Sequence, residues 1–157
     1  MPAILSNFDI VNILERNNIS LVYIGYKDLL IDSKLQSGCY IINMSDSDDG
    51  TGGSHWTAMM IEKHNVVYFD PLGNPPPSIV KQYVRSIDDD VLYNQKKIQN
   101  EVSAICGWYV ILFIYYMTNM KKQEQNIYKR FKNFLNLFSY DVEDNRKLLQ
   151  EYLKPLK

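Results

Sequence analysis

With two cysteines among 157 residues, the chain cannot build a disulfide framework. Its two cysteines and two histidines also stand at separations that match no zinc-ligand spacing, so no metal is expected. The acidic run Asp46, Asp48, Asp49 lacks the spacing and the closing glutamate of a calcium loop. Long hydrophobic runs are missing: the longest, Ala104 to Met117, has fourteen residues, against roughly 18 needed to span a bilayer. Met1 to Leu5 has no basic start, and Asp9 and Glu15 interrupt any apolar stretch, so neither a secretory signal nor a membrane partner is read. A dominant charge is missing as well. The net charge of −1 argues against a nucleic-acid coat or a polybasic membrane binder, while leaving local patches open. These absences describe a protein made and used in a reducing interior.

What is present is core material. Apolar residues make up 46% of the chain and aromatics 13%, with twelve tyrosines, which is enough to fold one domain over residues 1–157. Ser6 to Arg16, with Phe8, Val11 and Leu14 and a capping serine, predicts a helix. Ser20 to Tyr26 and Cys39 to Met44 read as strands, and Ser45 to Ser54 as a solvated loop. His55 to Ile61 and Val66 to Phe69 read as two strands joined by a turn at His64-Asn65. Pro71, Gly73 and Pro75 to Pro77 force the chain to turn. Ser78 to Ser86 predicts a helix and Asp90 to Gln99 an edge strand. Ala104 to Met120, apolar on nearly every side, predicts a central helix, followed by helices over Gln125 to Phe138 and Val142 to Leu153, the last capped by Asp141. The sum is an α+β domain with a small, mainly antiparallel sheet.

Four residues stand where particular chemistry would want them. Cys106 falls at the head of the central helix, where the macrodipole and a cationic neighbour favour a thiolate. Gly107 beside it leaves room for a substrate carbonyl. A buried, inert cysteine fits the same residue. His55 stands where a glycine loop, Gly50 to Gly53, enters a strand, a rigid yet accessible place for a general base; a packed histidine fits equally. Trp56 is placed to cover the site, while His64, at a turn tip, is expected to be solvated. Asp70 ends the strand paired with the one His55 begins, so the hairpin brings the two together across fifteen residues and lets the carboxylate orient the imidazole. An Asp-Pro turn residue is the plain alternative. Gln99, seven residues before Cys106, can join the Cys106 backbone N–H in holding an oxyanion.

The strings GGSHWTAMMIEKHNVVYFDPLGNPPP and QNEVSAICGWYVILFI together resemble the adenain family of adenovirus-type cysteine proteinases, and within it the virophage and Polinton-like branch of the Mavirus type. The likeness runs from about Cys39 to Met117, more loosely into the last helix. It implies a papain-like fold in which the central helix carries the nucleophile. It assigns Cys106, His55, Asp70 and Gln99 to nucleophile, base, orienting acid and oxyanion donor. It also implies cleavage of capsid protein precursors inside the infected host cell and the virion. Two departures bear on activation: the family has glutamate where Asp70 stands, and no cysteine lies between Asp70 and Gln99 to receive a disulfide-linked activating peptide.

No cofactor is required by this reading, although viral DNA is a family activator. Thr118 to Lys157 holds nine Lys/Arg against five Asp/Glu, a face that could engage a polyanion or be only the solvated side of the helices. Two rivals remain open: a deconjugase for ubiquitin-like proteins with the same chemistry, and a catalytically silent module that binds capsid protein.

Overall fold

The computed structural model describes residues 4–50, 55–101 and 104–157. Residues 51–54 of the predicted loop Ser45 to Ser54, and 102–103 of the loop before the central helix, lie outside the described residues. A helix, α1 (Asn7–Arg16), opens the fold, and its start is fixed by a capping box in which Ser6 and Asp9 satisfy each other's backbone N–H groups. Strand β1 (Tyr23–Tyr26) follows, shorter than predicted, and then an unforeseen 3-10 turn, Lys27–Asp32. The sheet continues with β2 (Gly38–Asn43), β3 (Trp56–Glu62) and β4 (Asn65–Phe69). After helix α2 (Ser78–Val84) comes a two-residue strand, β5 (Leu92–Tyr93). Three helices close the chain: α3 (Cys106–Asn119), α4 (Ile127–Leu135) and α5 (Val142–Leu153).

The strands lie in the order β1-β2-β3-β4-β5. The central pairings, β2 with β3 and β3 with β4, are antiparallel and carry most of the ladder, while β1 and β5 join the edges in parallel. Alternation sorts the side chains into two cores. Ile41, Ala58, Met60, Val67 and Phe69 pack with α1, α3, α4 and α5. Tyr40, Ile42, Met59, Val66 and Tyr68 pack with Val80, Tyr83 and Val84 of α2 and with Leu30. Being covered on both faces explains why β2, β3 and β4 read as nearly continuous apolar runs.

Helix α3 buries nine of its residues, so it must be enclosed by other elements instead of lying on a surface. Phe113 stacks on Phe69 of β4 with ring centroids 5.1 Å apart, and Phe134 of α4 meets both edge-on. Burying each such ring contributes about 2–3 kcal/mol. Arg130 of α4 is fully buried, ion-paired to Glu62 at the end of β3 and donating to the Glu124 carbonyl at 2.8 Å. Those partners offset part of the cost of desolvating the guanidinium, whose Nε is buried without a hydrogen bond.

Three predicted elements are corrected. The span Asp90 to Gln99 is a strand only at Leu92–Tyr93, because the polar groups after it bond to the turn following β4 and not to a ladder. The β3–β4 turn falls at Lys63-His64, one residue early, with Glu62 paired to Asn65 and Lys63 at φ 58°. The central helix begins at Cys106 and not at Ala104.

Candidate active site

The site forms where the β3–β4 rim meets the head of α3. The ladder pairs Ala58 with Phe69. Carried one step further, that register sets Asp70 against Thr57, and His55, two residues earlier, becomes its diagonal neighbour. The side chains meet: His55 Nε2 and Asp70 Oδ1 are 2.6 Å apart. His55 lies one residue before β3 and is held there by its carbonyl, which accepts from the Met44 amide at 2.9 Å. His64, by contrast, is exposed in the turn.

Asp70 is 2% exposed and fixed from several directions. Its Oδ1 also accepts from the Leu72 amide at 2.8 Å. Its backbone is clamped by buried Asn94, whose Oδ1 accepts from Asp70 N at 3.0 Å and whose Nδ2 donates to Asp70 O at 2.6 Å. The turn closes with Gly73 N donating to Asp70 O at 2.8 Å. Gly73 is required there: its φ is +77°, and a Cβ would sit 2.8 Å from the Gln95 carbonyl oxygen. Asn94 went unrecognised in the sequence. Its partner is 24 residues away, and an asparagine between a strand and a loop carries no pattern.

Cys106 is the first residue of α3 and is 6% exposed. Its Sγ accepts from the Trp56 backbone N–H at 3.4 Å and is near enough to His55 to be among the groups that raise the imidazole. With Nε2 committed to Asp70, Nδ1 is the ring nitrogen left for the sulfur. Burial is the largest influence on His55 and pulls its pKa down, but the bonds and charges of Asp70 and Cys106 outweigh it and raise the imidazole to about 9. A protonated imidazole beside the sulfur is the counter-ion that a thiolate nucleophile requires. Cys39, on β2, has Thr118, Arg130 and Lys121 to favour its thiolate, but burial outweighs them and pushes its thiol up to about 11.

Gln99 is buried at 2% exposure, and its backbone N–H donates to the Pro71 carbonyl at 3.0 Å, so it is anchored on the Asp70 side of the site. It follows an irregular segment instead of ending a strand. Cys106 opens into a cleft of about 480 Å³, lined also by Ile4, Leu5, Tyr26, Asn43 and Trp56, and Gln99 does not line it.

Of the two supporting residues, Gly107 is placed differently from the expectation. Gly107 does not leave room for substrate. The space where its Cβ would stand belongs to Leu5, with Leu5 Cβ 3.2 Å and Cδ1 3.3 Å away. Trp56 lines the Cys106 cleft, and its indole N–H donates to the Leu5 carbonyl at 3.2 Å. The segment before α1 was not read as part of the site, because its contacts lie 51 residues along the chain from Trp56.

The solved structure of the ASFV pS273R protease is similar to this chain, at 21% identity and a TM-score of 0.39, covering 71% of this chain and 43% of that one. The chain thus spans less than half the length of that structure. No protein-family model and no curated relative matches the sequence. The functional reading therefore rests on the site's own geometry.

Proposed function

We propose that the protein is a cysteine endopeptidase acting on capsid protein precursors, with Cys106 as nucleophile, His55 as base and Asp70 as orienting acid. The observation that carries the chemistry is the 2.6 Å Asp70–His55 pair beside a sulfur at the head of α3. The substrate class rests on the motif resemblance alone.

The Cys106 thiolate forms a C–S bond to the scissile carbonyl carbon, and the carbonyl π electrons move to oxygen. The Gln99 amide and the Cys106 N–H hold that oxyanion. On collapse the C–N bond breaks and His55 delivers its proton to the leaving amine. A water molecule then gives a proton to His55 and its hydroxyl to the thioester carbon, the C–S bond breaks, and the carboxylic acid leaves with the thiolate–imidazolium pair restored. Asp70 keeps the imidazole in the tautomer that offers Nδ1 to the sulfur.

DNA activation through the C-terminal helices is part of the proposal, but Arg130 is buried against Glu62, so the surface basic excess is smaller than the sequence count. Added duplex should raise the rate in a salt-sensitive way.

The test is to incubate the capsid precursors encoded with this protein with wild type and with Cys106→Ala, and to map fragments by mass spectrometry. Wild type trims them and the variant leaves them whole. Precursors untouched by both, with a ubiquitin-like vinyl-sulfone labelling Cys106, would move the assignment to a deconjugase.

A further inference from the structure

Leu5 precedes the first helix, yet it is 6% exposed and held from three sides. Its carbonyl accepts from the Trp56 indole at 3.2 Å. Its side chain fills the notch over Gly107, within 3.5 Å of where a Cβ would stand. The Ser6–Asp9 capping box next to it fixes the direction in which the segment enters α1. Trp56 is the residue after His55, and Gly107 is the residue after Cys106. Leu5 thus touches the chain neighbour of the base and the chain neighbour of the nucleophile. Between those two sides the Trp56 backbone N–H also donates to Cys106 Sγ at 3.4 Å, an ordinary length for a sulfur acceptor. Ile4 and Leu5 also wall the Cys106 cleft on one side and a second cavity, against Trp108 and α1, on the other.

We infer that Leu5 is a positioning residue, a clamp that holds the head of α3 against the β3 rim so that sulfur and imidazole stay within proton-sharing reach. The inference rests on the cysteine peptidase reading. Its physical basis is that proton sharing falls off steeply with distance, and a misplacement of about 1 Å can cost up to about 100-fold in rate. Truncating Leu5 removes the plug over Gly107 and lets the helix head drift from the strand.

The readout is iodoacetamide alkylation of Cys106, followed by peptide mass spectrometry at about pH 6 and about pH 9. The ratio of the two rates cancels any change in access. An ordinary thiol, with a pKa of about 8.5, reacts more than about 100-fold faster at the higher pH. Wild type is expected to show a gap below about tenfold, because the imidazolium stabilises the thiolate. Leu5→Ala is expected to widen that gap about fivefold or more, and Leu5→Met, which refills the notch, to restore it. A gap unchanged in Leu5→Ala overturns the clamp while leaving the peptidase reading intact. A wild-type gap of about 100-fold overturns the peptidase reading and the clamp with it. Should Leu5→Ala fail to fold, Trp56→Phe removes the indole donor, with part of the ring's volume, and leaves Leu5 in place. A smaller widening supports the clamp, and none overturns it.

Discussion

Replacing Asp70 with asparagine removes the negative charge facing His55 but keeps the shape and the Oδ1 acceptor used by the Leu72 amide. In the folded wild type His55 is raised from 6.5 to about 9. A group raised in the folded state contributes stability that is fully present below its unfolded value and is lost as pH climbs through its folded value. The window therefore runs from about 6.5 to about 9, and at about 1.4 kcal/mol per pH unit the contribution is about 3 kcal/mol. The imidazole is only 15% exposed, so solvent screens the pair little. In Asp70→Asn the burial that already pulls His55 down is opposed by Cys106 alone, and the contribution should vanish. Urea denaturation of both proteins at intervals from about pH 6 to pH 10 tests this. The stability gap should be widest at the acid end and narrow by about 3 kcal/mol toward the alkaline end, or about 6–12 °C in Tm for a chain of this size. Cys39 and the tyrosines other than Tyr68, which the Asp70 charge also raises, titrate alike in both proteins and cancel from the difference. A pH-independent offset reports packing and desolvation, and only the slope reports the charge pair. Parallel curves across the whole range would refute the reasoning.

Further outcomes follow from the same contacts. In the native protein at neutral pH a thiol reagent should label Cys106 and spare Cys39, whose thiol is pushed to about 11, until denaturant is added; peptide mapping checks this. Under the proposed oxyanion role, Gln99→Ala should lower kcat by about 10²–10³ with little change in KM, since such a donor acts mainly in the transition state; an unchanged kcat removes that role. Gly107→Ala should cost about 1–3 kcal/mol by overpacking against Leu5, read as a fall in urea midpoint that Leu5→Ala partly relieves. Gly73→Ala should cost about 2 kcal/mol or more in thermal unfolding, because a side chain is both strained at φ +77° and driven into the Gln95 carbonyl.

The legible parts of the molecule were those whose partners are near in sequence. His55 and Asp70 belong to one hairpin, so alternation and a short turn were enough to bring them together. The apolar run after Cys106 marked a buried helix and located the sulfur at its head. Helix α5 matched its predicted span because its cap and its periodicity agree. The segment from Asp90 to Gln99 misled because its alternation was weak and its polar groups had an alternative. Asn94 satisfies the Asp70 backbone, and the amides of Ile98 and Gln99 both find the Pro71 carbonyl, so a ladder was never needed there. Gly107 was noticed for the wrong reason. Its missing side chain makes space, but the occupant comes from the far end of the chain, and no local pattern announces such a partner.

The two halves of the candidate site are therefore anchored in physically different ways, and perturbations should separate accordingly. Asp70 sits in a dense local net made by Leu72, Gly73 and Asn94, so damage there propagates into the fold and appears as lost, pH-dependent stability. Cys106 is the head of a helix whose own core contacts with Phe69 and Phe134 do not depend on the site. Beside the packing of α3 on β3, its sulfur is linked to the rim through Trp56 and Leu5. Loosening that link leaves α3 packed and most of the stability in place while changing the distance over which a proton is shared. Variants at Leu5 should thus lose reactivity out of proportion to stability, and variants at Asn94 should lose both together, a contrast that a merely structural role for Leu5 would not produce.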